Sequence, residues 1–364
     1  MDIRFFFKKN FYNLVNSHDK NEKNFNKYIV IKSENKNWVL NQIANEYQST
    51  FSHFAKKISL NENDIYASKE ILLFIMSKYH ALKNLKNYEN KIYFPYFHGI
   101  PNNNSSAKDQ IDIIKKNINF ISKIQISNSL MENVFLENKI PIEKFKKIPI
   151  TVDINKFKKI NNLDNSELRN FYDIPSSAFV IGSFQKDGDG WGQGINPKMI
   201  KGPDVFVKTI KILKDKIPEL YVLLTGPSRG YVIKELKNIK VSFKHINFNN
   251  YDELIKLYKC LNVYLVSSRE EGGPRAILES FASKTPLVTT NVGQAVDIVE
   301  NNFNAFKSNN INEEELANYI YNKIYNKSDN LDKILNNGYQ TAENNSYDKQ
   351  INLWRDFFNL YDSK

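Results

Sequence analysis

Cysteine is almost absent: Cys260 is the one cysteine in 364 residues. No disulfide framework and no cysteine metal site can form within one chain, and a reducing compartment is expected. Long apolar runs are missing too. No stretch approaches the roughly 18 apolar residues that a membrane-spanning helix requires, and the short run EILLFIM at 70–76 is expected to lie within a helix. The opening MDIRFFFKKN has too short an apolar run for a secretory signal and is expected to be a first strand, so the chain is expected in the cytosol.

Several chemistries are excluded by missing patterns. His18, His53, His80 and His245 lack ligand spacing with one another, and Asp187-Gly188-Asp189, the nearest approach to a metal-binding acidic pair, is expected to belong to a flexible glycine loop. No divalent metal is expected. Thr225-Gly226-Pro227-Ser228 lacks the Gly-x-Ser-x-Gly pattern of a serine hydrolase elbow. Gly188, Gly190, Gly192 and Gly194 alternate with other residues and do not make the Gly-x-Gly-x-x-Gly fingerprint, which disfavours a nicotinamide dehydrogenase.

Acidic residues are scarce in the first half. Of a formal net charge of +11, residues 1–170 carry +10, from 27 Lys and Arg against 17 Asp and Glu, while residues 171–364 have 24 against 23. Such a surface attracts nucleic acid, an anionic membrane or an acidic acceptor, and it can equally be a solvated lysine-rich surface. No recognisable DNA- or RNA-binding motif accompanies the 25 Phe and 20 Tyr, which argues against nucleic acid.

What is present is an alternating pattern. The length favours two domains. Apolar spacing predicts strands at 3–7, 28–31, 65–67, 92–97, 124–127 and 147–150, with helices at 38–51, 71–83, 108–120 and 130–137. A second series follows, with strands at 179–183, 221–224, 261–267 and 286–290 and helices at 204–214 and 252–259. Two such series predict an α/β fold of two doubly wound, Rossmann-like domains. The Asn- and Asp-rich stretch KKINNLDNSEL places the boundary between 153 and 177, giving domains 1–165 and 166–345.

The segment SSREEGGPRAILESFASKTP at 267–286 carries the most chemistry. An apolar strand runs into Glu271-Gly272-Gly273-Pro274, and a helix then begins. The two glycines let a ligand approach the backbone, Pro274 suits the first helical position, and the N–H groups of the next turn, around Arg275 and Ala276, face an anion such as a diphosphate. Arg275 opposes the helix dipole unless an anion is bound. Glu271 precedes the helix and can reach past the phosphates. Glu279, more than a turn inside, can accept from a pair of vicinal hydroxyls such as a sugar or ribose offers. The same residues also read as an ordinary amphipathic helix with Ala276, Ile277, Leu278, Phe281 and Ala282 in the core. A second constellation, SFQKDGDGWGQGINPKMIKGPD at 183–204, follows a strand and ends in Lys201-Gly202-Pro203-Asp204 before a helix, where Lys201 can meet a phosphate or simply face solvent.

Glu271 and Glu279 with seven residues between them, then Thr285-Pro286-Leu287-Val288, Val292-Gly293 and Asp297-Ile298-Val299, resemble the nucleotide-sugar site of retaining glycosyltransferases of the family-4 type, which have the two-domain GT-B architecture. Gly-Gly-Pro, Lys284 and Asp297 stand where that family usually has Gly-Phe-Gly, Gly and Glu. The likeness implies two Rossmann-like domains facing across a cleft, with a last helix at about 346–364 returning to the first domain through Trp354, Phe357, Phe358 and Tyr361. It implies that Lys201 and Lys186 clamp the donor diphosphate, that Glu271, His98 and Lys201 serve catalysis, and that Gly272, Gly273, Pro274, Arg275, Ala276 and Glu279 complete the donor site. His98, which taken alone is better explained as a structural histidine, gains its role only from this likeness.

The implied reaction moves a sugar from a nucleoside-diphosphate-sugar to a glycan, lipid-linked or other acceptor, with retention and without metal or further cofactor, as in polysaccharide or glycoconjugate synthesis. An anionic membrane surface is a candidate peripheral contact for the basic first half. Residues 8–16 lack the glycine pair that many relatives carry after the first strand, so acceptor recognition is not specified. A nucleotide-sugar epimerase of the same fold and a non-catalytic binding scaffold are the alternatives.

Overall fold

The computed structural model describes residues 27–33, 38–76, 85–86, 88–97, 99–101, 105–190, 192–248, 250–327 and 330–360. The strand expected at 3–7 and His98 lie outside the described residues. The chain divides into two compact units: residues up to Pro149 together with those from Tyr347 onward, and Ile150–Ser346. Among the described residues, no helix is long and apolar enough to cross a membrane.

The first unit is built on a six-stranded parallel sheet, in the order β2-β1-β3-β4-β5-β6. These strands are β1 (Tyr28–Ser33), β2 (Lys57–Ser59), β3 (Leu72–Met76), β4 (Lys91–Tyr96), β5 (Ile121–Ile126) and β6 (Phe145–Lys147). Both faces are covered, and the inner strand β3 is apolar throughout rather than alternating. In β3, Leu73 and Ile75 join the core on one face while Leu72, Phe74 and Met76 join the other. This corrects the helix expected at 71–83 over residues 71–76, the remainder of that span, like Tyr361, lying outside the described residues: a run buried on both faces has no period by which to tell strand from helix. The strand expected at 65–67 is instead the end of a 3-10 helix, Glu62–Ala67, started by the Asn61 side chain accepting from the Asn63 N–H. The strand expected at 147–150 lies earlier, as β6. The helix Tyr347–Phe358 packs on this sheet, burying Trp354, Phe357 and Phe358 against Phe51, Phe74 and Tyr93.

The second unit has its own six-stranded parallel sheet, in the order β12-β11-β10-β7-β8-β9. Its strands are β7 (Phe179–Phe184), β8 (Leu220–Thr225), β9 (Ser242–Ile246), β10 (Val263–Val266), β11 (Leu287–Thr290) and β12 (Phe306–Ser308). The stretch read as a boundary is not a linker. It forms the helices Ile154–Asn161 and Asn165–Phe171, each begun by an aspartate, Asp153 or Asp164, that accepts from backbone N–H groups. Ile154, Phe157 and Ile160 are buried in the core of the second unit, so residues 150–165 belong there and not with the first domain.

The strand order sets where a ligand can sit. From β7 the chain proceeds outward through β8 and β9, then returns to the other side of β7 and continues through β10, β11 and β12. The order therefore reverses between β7 and β10. In an open α/β sheet the loops leaving the carboxyl ends of two such strands part and leave a crevice, the usual place for a ligand. Those two loops are the glycine-rich segment after Phe184 and the Glu271 segment after Val266.

Candidate functional site

The two loops are tied together through their backbones. After the glycine-rich segment, the chain turns through Met199–Lys201 to Gly202. The Arg269 and Glu270 N–H groups both donate to the Ile200 carbonyl, at 2.9 and 3.0 Å. Ser267 Oγ donates to the Gly202 carbonyl at 3.0 Å. Gly202 sits at φ +60°, and a Cβ there would lie 1.9 Å from the Ser267 carbonyl oxygen, so close backbone contact requires glycine. Arg269 clamps the junction with two hydrogen bonds of 2.6 Å to Asp204.

This junction brings Lys201 and Glu271 into direct contact, with Nζ 2.5 Å from Oε2. Ser268 Oγ donates to the other Glu271 oxygen at 2.8 Å. The pair is largely sheltered, with side-chain exposures of 25% and 10%. Lys198, which sequence inspection missed, stands at the start of the same turn. Burial lowers its pKa, and the positive charges of Lys201 and Lys186 lower it further, against an opposing pull from Glu271 and Asp189. Lys186, Lys198 and Lys201 thus share one electrostatic neighbourhood. The Lys-x-x-Lys-Gly spacing was its available signal.

Where the sequence predicts a flexible glycine loop, its described residues are fastened by hydrogen bonds. Its two arms pair at Gly188 and Pro197, and the Asp189 N–H donates to the Asn196 carbonyl at 2.9 Å. The Gly230 and Tyr231 N–H groups donate to the carbonyls of Gln193 and Gly194. Ser228 Oγ donates to the Gly192 carbonyl at 2.9 Å. Beneath it, Asp187 and Arg229 are both fully buried and paired at 3.0 Å. Arg229 also donates to the Ser183 and Thr225 carbonyls at the ends of β7 and β8.

A second cluster surrounds Glu279, inside the helix Arg275–Ala282. Tyr251 OH donates to Oε1 at 2.6 Å and Tyr258 OH donates to Oε2 at 2.9 Å. Arg275 Nε lies 3.4 Å from Oε1, and its guanidinium rests over the Tyr251 ring, 5.2 Å from the centroid. Burial, then the Glu279 charge, pushes the Tyr258 hydroxyl well above its ordinary pKa, so it stays a donor. Hydrogen bonds to a charged acceptor are worth roughly 1.5–3 kcal/mol each. Pro274 offers no capping side chain, and the helix begins at Arg275, one residue after the position expected from sequence. Gly272 is buried; Gly273, Pro274, Arg275 and Ala276 are half-buried. The turn after β11 abuts this helix start, since a Cβ on Gly293 would meet Pro274 at 2.7 Å and the Glu271 carbonyl at 3.1 Å.

Residues 196–341, which span the Lys201 turn, Glu271 and Glu279, match the family model for glycosyl transferases group 1. The matched residues lie within the second unit. The capsular polysaccharide biosynthesis glycosyltransferase CapM of Staphylococcus aureus is similar to the chain, 25% identical over 256 residues, which are 66% of this chain and 61% of that protein. The chain thus aligns with less than two thirds of the curated relative's length.

Among solved structures, Anabaena Alr3699/HepE in complex with UDP and glucose superposes with a TM-score of 0.71 at 16% identity, covering 92% of this chain and 99% of that one. A glycosyltransferase from Rickettsia africae superposes with a TM-score of 0.63 at 20% identity, over 92% and 99% of the two chains. The two parallel six-stranded sheets with their helices are the GT-B architecture.

Proposed function

We propose that this group 1 glycosyltransferase moves a sugar from a nucleoside-diphosphate-sugar to a glycan or lipid-linked acceptor in polysaccharide or glycoconjugate synthesis, with retention of anomeric configuration. The observation that carries the reading is the Lys201–Glu271 contact at the point where the strand order reverses between β7 and β10. It puts a cation and a carboxylate side by side where an open α/β sheet binds its ligand. The UDP and UDP-glucose bound by the structurally similar HepE, and the capsular role in the name of CapM, support this donor and acceptor class.

In this reading, Lys201, Lys186 and Lys198 face the diphosphate, together with the backbone of Gly272–Ala276 and the Arg275 guanidinium. Glu271 receives a sugar hydroxyl, and Glu279 receives the ribose diol. As the bond from the anomeric carbon to the β-phosphate oxygen breaks, negative charge gathers on the departing diphosphate and positive charge on the sugar. Fixed cations at the phosphate lower that barrier without a divalent metal. The acceptor oxygen bonds to the anomeric carbon on the face the phosphate leaves, and its proton passes to the departing phosphate. The reaction belongs to the cytoplasm, with an anionic membrane surface as a peripheral contact for the basic first half.

Release of nucleoside diphosphate from UDP-, GDP- and ADP-sugars tests the reading. One donor class should be consumed, and Lys201→Ala should slow the reaction by about a hundredfold or more, the scale for losing one donor to a developing oxyanion. A Lys201→Ala variant as fast as wild type would remove the lysine from the chemistry.

A further inference from the structure

Glu279 is held from two directions by side chains of another helix. Tyr251 and Tyr258 both come from Tyr251–Lys259, and each donates to a different carboxylate oxygen. All three side chains are buried, at 7%, 1% and 6% exposure for Tyr251, Tyr258 and Glu279. The tyrosines are themselves fixed. Tyr258 stacks on Tyr264, with centroids 5.2 Å apart, and Phe184 packs edge-on against both rings. The Arg275 guanidinium and the Lys156 ammonium both approach the Tyr251 ring, at 5.2 and 5.8 Å from its centroid.

A carboxylate has about four lone-pair sites. One hydroxyl on each oxygen, with the Arg275 Nε also 3.4 Å from Oε1, leaves acceptor capacity on the carboxylate and stops the group from rotating. A vicinal diol requires two acceptor oxygens at a set spacing and orientation, and a carboxylate locked before the ligand arrives avoids the ordering cost of binding.

We propose that Tyr251 and Tyr258 are positioning residues that orient the Glu279 carboxylate for the donor's ribose diol, and so set the preference for a ribonucleotide over its 2′-deoxy counterpart. The inference rests on the donor-site reading above.

Calorimetric titration of the full chain with UDP, GDP and ADP, each beside its 2′-deoxy form, tests it in wild type, Tyr251→Phe and Tyr258→Phe. Phenylalanine keeps the ring packing and removes only the hydroxyl, and thermal unfolding of each variant checks that the fold is kept. The variants should bind the preferred ribonucleotide about tenfold more weakly, the order set by a hydrogen bond to a charged group. Affinity for the 2′-deoxy form should stay within about twofold of wild type, so the preference collapses. A preference unchanged in both variants, or equal weakening of both nucleotides, would overturn the positioning role while leaving the donor site in place. Wild-type protein that bound none of the three nucleoside diphosphates would overturn the donor reading and this inference together.

Discussion

At the scale of single residues, the arrangement around Lys201 has a counterintuitive consequence. Its ammonium is already paired with Glu271 at 2.5 Å, so a diphosphate must compete with a carboxylate for it. Glu271→Gln removes that negative charge and is expected to bind bare nucleoside diphosphate about three- to tenfold more tightly, a modest gain because the pair is partly screened by solvent. Transfer of sugar should slow in the same variant. Titration calorimetry beside a turnover assay reads both, and unchanged or weaker nucleotide binding would show that Glu271 does not restrain Lys201. The two glutamates were legible in the sequence because they lie on one strand-loop-helix unit at a fixed spacing. Tyr251 and Tyr258 were not, since they stand 28 and 21 residues before Glu279 and meet it only through helix packing. Lys198 looked like any surface lysine until folding half-buried it within reach of the charges of Lys201 and Lys186.

At the scale of elements, the site depends on how tightly the turn before Pro203 fits against the loop after β10. Gly202 and Gly190 make a matched pair, at φ +60° and +68°, but a Cβ meets the Ser267 carbonyl at 1.9 Å in the first and nothing within 4 Å in the second. Gly190→Ala should cost about 1 kcal/mol from backbone conformation alone, whereas Gly202→Ala should cost at least about 1–3 kcal/mol more and weaken nucleotide binding. Denaturant unfolding measures the difference, and equal costs would mean that the loops do not pack as described. Elements with one solvated face, such as Trp38–Phe51 and Pro203–Lys214, were readable from periodicity. Leu72–Met76, buried on both faces, was not. The glycine loop misled for another reason: its order comes from Ser228, Arg229 and Gly230, about forty residues on, and no local pattern reports that.

At the scale of the whole molecule, each unit closes its own core on both faces of a parallel sheet, and the residues proposed for the donor diphosphate and ribose all lie in the second. The doubly wound character of the chain followed from its alternating elements. The placement of 150–165 did not, because polar composition hid two short helices, of which Ile154, Phe157, Ile160 and Leu168 pack on the second core. The central claim is that this unit binds a nucleoside diphosphate through Lys201, the Gly272–Ala276 helix start and Glu279. Thermal unfolding of wild type and Glu279→Ala with UDP, GDP, ADP or no ligand tests it most directly. A ligand at about a hundred times its dissociation constant adds roughly 2.7 kcal/mol, and at about 2–4 °C per kcal/mol for a domain of this size that is a rise of about 5–10 °C in Tm. One nucleotide should raise the wild-type Tm by that amount and leave the variant's nearly unmoved. No shift with any nucleotide at millimolar concentration, or an equal shift in both proteins, would contradict the account.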